Sequence, residues 1–322
     1  MQDHLLKYMQ SFRKLRVDRT HGVAPHKPIL LLSVLQAYQN GLINSGRIYI
    51  TPELVALFKT NWSLLVTTQH DCRISYPFYY LKSEKFWKLA PKAGFENINE
   101  MGSIMKSFSN LNAAVEFAII EDDLFLLMQD KRSNNILTHF LLDEYFPITK
   151  QNFTNSIAGQ QNLFDDIEAK ILHEDPIKYR QEINQLMLQQ NEEEIFIRGS
   201  IFKREIPKIY NYTCCISGMK IAAIISVSMV DACHIVPFSE SYDDTITNGI
   251  SLCPNLHRAF DRGLISIDDN YKVLVKSNWS EDQSNYSIKQ FEGKQILLPA
   301  NSSQFPSLSN FNSHRERFNF KG

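Results

Sequence analysis

DACHIVPFSESYDDTITNGISLCPNLHRAFDRG, from Asp231 to Gly263, orders one histidine, one asparagine and a second histidine within a short span. Cys233-His234-Ile235-Val236-Pro237 reads as the end of a strand, a polar loop follows, and Asn248-Gly249 opens toward Leu-Cys-Pro-Asn-Leu-His with His257. The expected unit is a compact strand, loop and helix. Asp261 falls one helical turn after His257, so both side chains should share a helix face.

Phosphodiester hydrolysis asks for a base to activate water, a metal to neutralise the scissile phosphate, and a group that fixes the base. His234, Asn248 and His257 are residue types suited to those tasks. Residues 195–270 resemble an HNH endonuclease of the subgroup with C-x-x-[ST]-G upstream, A-x-H-I-x-P in the middle and L-C-x-x-x-H-x-x-F-D-x-G downstream. The stretches that carry the resemblance are Cys215-Ile216-Ser217-Gly218, Cys233 to Pro237, Asn248-Gly249 and Leu252 to Gly263. The resemblance implies a ββα-metal fold with flanking helices. It implies His234 as general base, Asn248 as the residue that holds the loop and orients His234, and His257 as a ligand of Mg²⁺ or Mn²⁺. Asp261 could bind or orient that metal. Many such sites carry Asp or His immediately before the base histidine; here the position is Cys233, whose thiol suits Mg²⁺ poorly. Asp231 is the substitute ligand nearest in sequence, although it shares a strand face with Cys233. Cys214, Cys215 and Cys253 read as packing residues, and the missing paired cysteine knuckles argue against a structural zinc.

Upstream, Leu5, Leu6, Met9, Phe12 and Leu15 recur with helical spacing. Pro28 suits a helix first turn, and ILLLSVLQAYQN after it reads as a buried helix closed by Gly41. Residues 52–66 look helical. Tyr76 to Leu81 and Phe86 to Leu89 are aromatic-rich runs of strand type around Lys82-Ser83-Glu84-Lys85, which predicts a hairpin. Residues 110–130 have helical character, 149–162 read as a linker, and 163–194 as a charged helical connection. The expected class is α+β with two domains: 1–150 mainly helical with a small hairpin, 151–194 a helical linker, 195–300 the nuclease domain and 301–322 a tail.

Composition is that of a globular protein: 43% of the 322 residues are apolar and 21% charged. The formal charge of −1 conceals an asymmetry, because residues 1–92 hold 13 Lys+Arg against 5 Asp+Glu and the remainder 21 against 30. A basic N-terminal segment is a candidate nucleic-acid surface, and the acidic remainder should grip DNA weakly by itself. Five cysteines form no CxxC pair, which argues against a disulfide framework and for reduced thiols. The apolar runs Pro28 to Leu35 and Ile221 to Val230 are far shorter than the ~20 residues of a membrane span. With no continuous hydrophobic segment at the N-terminus, a cytoplasmic protein is expected.

Ala24-Pro25-His26-Lys27-Pro28 with the apolar run after it, Arg73 to Leu81, and Phe86-Trp87-Lys88-Leu89 resemble the sulfur-binding domain of type IV, modification-dependent restriction enzymes, over roughly residues 3–145. That resemblance implies binding of double-stranded DNA carrying a backbone phosphorothioate. Sulfur in place of a non-bridging oxygen keeps the charge but adds a larger, poorly hydrated atom, so a discriminating pocket should be apolar. Tyr76 and Pro77 would floor it, Tyr80 would line it, and His26, Lys27 and Arg73 would hold phosphate or neighbouring bases. Phe78 and Trp87 are expected in the core, and His26 could instead cap its helix. Together these readings predict a phosphorothioate-dependent restriction endonuclease, for which a homodimer would supply the two sites of a double-strand cut. The alternatives are a nuclease reading a methylated or hydroxymethylated base, and a DNA-binding defence sensor with little or no cleavage.

Overall fold

A computed structural model describes residues 2–19, 22–159, 163–221, 228–282 and 284–320. The apolar run from Ile221 to Val230 therefore lies largely outside the described residues. Two units separate: residues 1–166 with 192–197, and residues 167–191 with 198–322.

The first unit is built around the helix that the apolar run forms. In chain order its elements are α1 (Gln2–Arg13), α2 (His26–Gln39), β1 (Arg47–Ile48), α3 (Pro52–Leu65), α4 (Ser75–Tyr80), β2 (Trp87–Pro91), α5 (Phe108–Ala114), β3 (Val115–Ile120), α6 (Asp122–Gln129), α7 (Lys131–Tyr145) and α8 (Lys150–Gly159). Helix α2 buries side chains on every face from Ile29 to Leu35, as a helix apolar all round must, and packs on α3, α4, α6 and α7. Thr51 caps α3 by accepting from the Leu54 amide, with Pro52 at the first helical position.

Three expectations need correction here. Residues 75–80 form helix α4, so no hairpin joins them to 86–89; Pro77, with no amide hydrogen, would break a strand ladder but costs little in a helix first turn. β2 pairs instead with β3, antiparallel, with Trp87 opposite Ile120 and Leu89 opposite Ala118, while β1 takes the other edge of β3. Residues 110–130 are helix, strand and helix, because the β-branched and aromatic run Val-Glu-Phe-Ala-Ile-Ile is a strand former. The expected linker is largely helix α8, whose Phe153 is buried.

Helices α9 (Leu163–His173), α10 (Pro176–Leu188) and α11 (Glu192–Ile209) come next in the chain. In the second unit Arg198 of α11 is fully buried, donates to Glu182 of α10 at 2.8 Å and lies over the Tyr179 ring. The nuclease frame follows: β4 (Asp231–His234), the one-turn helix α12 (Phe238–Ser241), β5 (Gly249–Leu252), α13 (Pro254–Asp261), the hairpin β6 (Ile265–Ile267) and β7 (Val273–Val275), and α14 (Leu308–Arg317). β4 and β5 are antiparallel, Asp231 opposite Leu252 and His234 opposite Gly249. Gly249 is required there: a Cβ would stand 2.3 Å from the Ile206 side chain and 2.9 Å from Phe202, both on α11. Residues 301–322, expected as a tail, instead contain α14, which buries Phe311 and packs on β6.

Candidate active site

Pairing of β4 with β5 brings the ends of the motif together. Cys233 and His234 are successive strand residues and point to opposite faces, so they enter different surroundings.

His234 lies flat on Phe202, ring centroids 3.9 Å apart and 8° from parallel, and its Nε2 is 2.8 Å from Oδ1 of Asp244. Asp244 is almost fully buried and sits in the loop between β4 and β5. An ionised carboxylate only accepts, so Nε2 carries the hydrogen and Nδ1 keeps its lone pair for a proton. Asp244 was not among the sequence candidates. The signal was the doublet Asp243-Asp244 between the first histidine and the asparagine, since two adjacent acids in a short loop need partners. Asp243 finds its own: fully buried, it accepts from Thr245 and lies 3.3 Å from Arg180.

Asn248 is also fully buried, and its amide ties the loop shut. Its Oδ1 accepts from the Val236 amide at 3.0 Å and its Nδ2 donates to the carbonyls of Val236 and Asp243, both at 2.9 Å. Asn310 of α14 donates to the same Oδ1 at 3.1 Å. The structure thus places Asn248 on the loop backbone, while the contact to the His234 ring comes from Asp244.

On the other face of β4, Cys233, His257 and Asp261 bring one ligand atom each within 4.8 Å of one another. Nε2 of His257 is 3.5 Å from Asp261, one turn on along α13, and Nδ1 is 3.5 Å from Asp231. The Cys233 sulfur lies 3.9 Å from the other Asp261 oxygen. Asp231, expected as a ligand, faces the other ring nitrogen of His257, and Cys233 is the third member of this group of donor atoms. Burial, with Asp261 beside it, pushes the Cys233 thiol well above its ordinary pKa. A sulfur, a nitrogen and an oxygen form a donor set that a divalent metal can occupy, and HNH nucleases generally use one. Cys214 and Cys253 share a hydrogen bond that lowers the Cys214 thiol below its ordinary pKa and raises that of Cys253.

In the first unit, Arg16, Val17, Asp18, Ala24, His26, Lys27, Tyr76, Pro77, Tyr80 and Ser83 line an open cavity of about 280 Å³. Five of the six expected contact residues are in that lining; Arg73 is not. Helix α4 explains why Tyr76 and Tyr80 share the cavity, being one turn apart. Lys27 is buried, with its ammonium 2.6 Å from Glu84 and 2.8 Å from Ser83, so its charge is already engaged. His26 donates from Nε2 to the Asp71 carbonyl at 2.9 Å and packs against Tyr76 and Trp62; burial lowers its pKa, which keeps it neutral at pH 7. Arg16 is exposed at the wall, and Lys106 lies over the Tyr76 ring. Neither was singled out from the sequence, where nothing distinguishes them from other surface cations.

Comparison with known proteins matches residues 214–268 to the family model described as HNH endonuclease. The chain carries an HNH endonuclease domain, the module of a DNA-cleaving enzyme. No curated protein matches the chain. A solved structure titled "Modification dependent TagI restriction endonuclease" is similar at 21% identity over 36% of this chain and 36% of that chain, with a TM-score of 0.26. The likeness spans little more than a third of that protein and is too slight to inform fold or activity. Among the described residues no helix is long and apolar enough to cross a membrane.

Proposed function

We propose that this protein is a restriction endonuclease that binds phosphorothioated double-stranded DNA through the cavity of the first unit and cuts it at the HNH site. The observation that carries the reading is the cavity: Val17, Ala24, Tyr76, Pro77 and Tyr80 offer apolar surface, while the imidazole of His26 is neutral and the ammonium of Lys27 is paired. An oxygen anion would lose its hydration there without replacement, whereas sulfur loses little. Arg16 and Lys106 beside the cavity supply charge for the phosphate.

At the HNH site His234, steadied by Asp244 and Phe202, takes a proton from water at Nδ1 as the water oxygen attacks phosphorus. The phosphorus–oxygen bond to the leaving group breaks, and that oxygen is protonated from solvent. A divalent metal held by His257 with Asp261 would neutralise charge on the scissile phosphate. Asn248 keeps the loop bearing Asp244 in place, so its effect on His234 runs through the backbone.

Matched duplexes with and without a phosphorothioate test the reading. The sulfur-bearing duplex should be cut and bound preferentially; equal cutting of both would end the sulfur dependence. His234→Ala and Asp244→Asn should both bind that duplex as the unaltered protein does while cleavage falls, by about 100-fold or more for His234→Ala.

A further inference from the structure

We infer that Cys233, His257 and Asp261 together select a thiophilic divalent ion of the zinc class in place of Mg²⁺ or Mn²⁺. The inference rests on the nuclease reading of residues 214–268 and is independent of the sulfur reading of the first unit. Geometry supports three direct ligands. Four donors at 2.0–2.3 Å around zinc lie roughly 3.3–3.7 Å apart. Oδ2 of Asp261 is 3.5 Å from Nε2 of His257, Oδ1 is 3.9 Å from the Cys233 sulfur, and one donor atom of each residue lies within 4.8 Å of the others, so side-chain movement inward closes the set.

The order of groups around His257 completes the argument. Nε2 faces Asp261, and the opposite nitrogen, Nδ1, faces the Asp231 carboxylate at 3.5 Å. A carboxylate behind a ligating imidazole fixes its orientation and raises its basicity. Asp231 therefore acts as the positioning group and Cys233, on the same face of β4, as the ligand. Three protein ligands leave a position open for substrate, as zinc sites that carry out chemistry do. A thiolate ligand is what Mg²⁺ discriminates against, because it holds oxygen donors in a strict octahedron.

Cobalt reports on this directly. The full-length protein, freed of metal by a chelator, should bind Co²⁺ with a near-ultraviolet thiolate-to-cobalt charge-transfer band. Zn²⁺ should abolish the band at stoichiometric concentration, and Mg²⁺ in large excess should leave it. Cys233→Ser should lose the band, while Cys214→Ser and Cys253→Ser keep it. Cys233→Asp should bind Co²⁺ without the band and weaken Zn²⁺ binding by more than about tenfold, the scale seen even for outer partners. Far-ultraviolet circular dichroism separates loss of a ligand from loss of fold, and the zinc and magnesium competition on the unaltered protein needs no variant. Co²⁺ binding without the band, no Co²⁺ binding, or a band that survives Cys233→Ser overturns the inference. Cleavage driven by Mg²⁺ with no band would overturn it and leave the nuclease reading intact. A Cys233-dependent band with no cleavage under any divalent ion would do the reverse.

Discussion

His314 shows how one buried side chain couples the nuclease unit to pH. It stacks on Phe260 at 3.8 Å, and its ring nitrogens meet the Ser266 hydroxyl at 2.9 Å and the Phe260 carbonyl at 3.1 Å. Burial pushes its pKa from 6.5 down to about 4. As pH falls, the unfolded chain therefore takes up the proton first. The stability is whole above about pH 6.5 and is lost progressively toward about pH 4, by up to about 3 kcal/mol. Denaturant midpoints should fall more steeply over that window for the unaltered protein than for His314→Asn; parallel curves would refute the assignment. Position in sequence gave no hint of this histidine, which lies outside the motif. His234, Asn248 and His257 were legible because the motif orders them. Their partners Asp244 and Cys233 were not assigned, because a loop acid and a thiol acquire a role only once the strand pairing has chosen their neighbours.

Helices and strands differ in how openly the sequence announces them. The uniform apolarity of residues 29–35 made α2 readable, since only a central helix buries all its faces. Ser-Tyr-Pro-Phe-Tyr-Tyr misled because aromatic content favours strands, whereas its proline suits the first turn of a helix such as α4. The same turn of helix then set Tyr76 and Tyr80 on one wall of the cavity, a neighbourhood that the strand reading of these residues would not have produced. β5 opens with a glycine for a packing reason that sequence alone could not show. Gly249→Ala would press a methyl into Ile206 and Phe202 of α11, and overpacking of this kind costs about 1–3 kcal/mol. Because His234 pairs with Gly249 and stacks on Phe202, the variant should lose cleavage as well as thermal stability. An unchanged melting temperature would show that α11 yields without cost.

Charge looks different once the units are drawn. The first unit holds 17 Lys+Arg against 19 Asp+Glu and the second 17 against 16, so the nuclease unit is not the acidic partner the linear count suggested. The excess belongs to residues 1–92 alone and is offset by 4 basic against 14 acidic residues elsewhere in the same unit. Folding spends part of it: Lys7 pairs with Glu121 and Asp123, Arg13 with Glu144 and Lys27 with Glu84. At most ten of the 13 early cations remain for phosphates, which bounds the slope of log affinity against log salt at about −9 for contacts from this segment. Anisotropy titrations of the full protein across salt concentrations measure that slope; a value near zero would remove this surface from DNA binding. The amide of Asn310, joined to Asn248 from α14, bears on a different matter. A ribosome that has already made His234, Asn248 and His257 has still to make Leu308–Arg317. Val236 and Asp243, which hold Asn248 from within its own loop, leave the ribosome earlier, so the bond from Asn310 is the last of these fastenings to become available during synthesis.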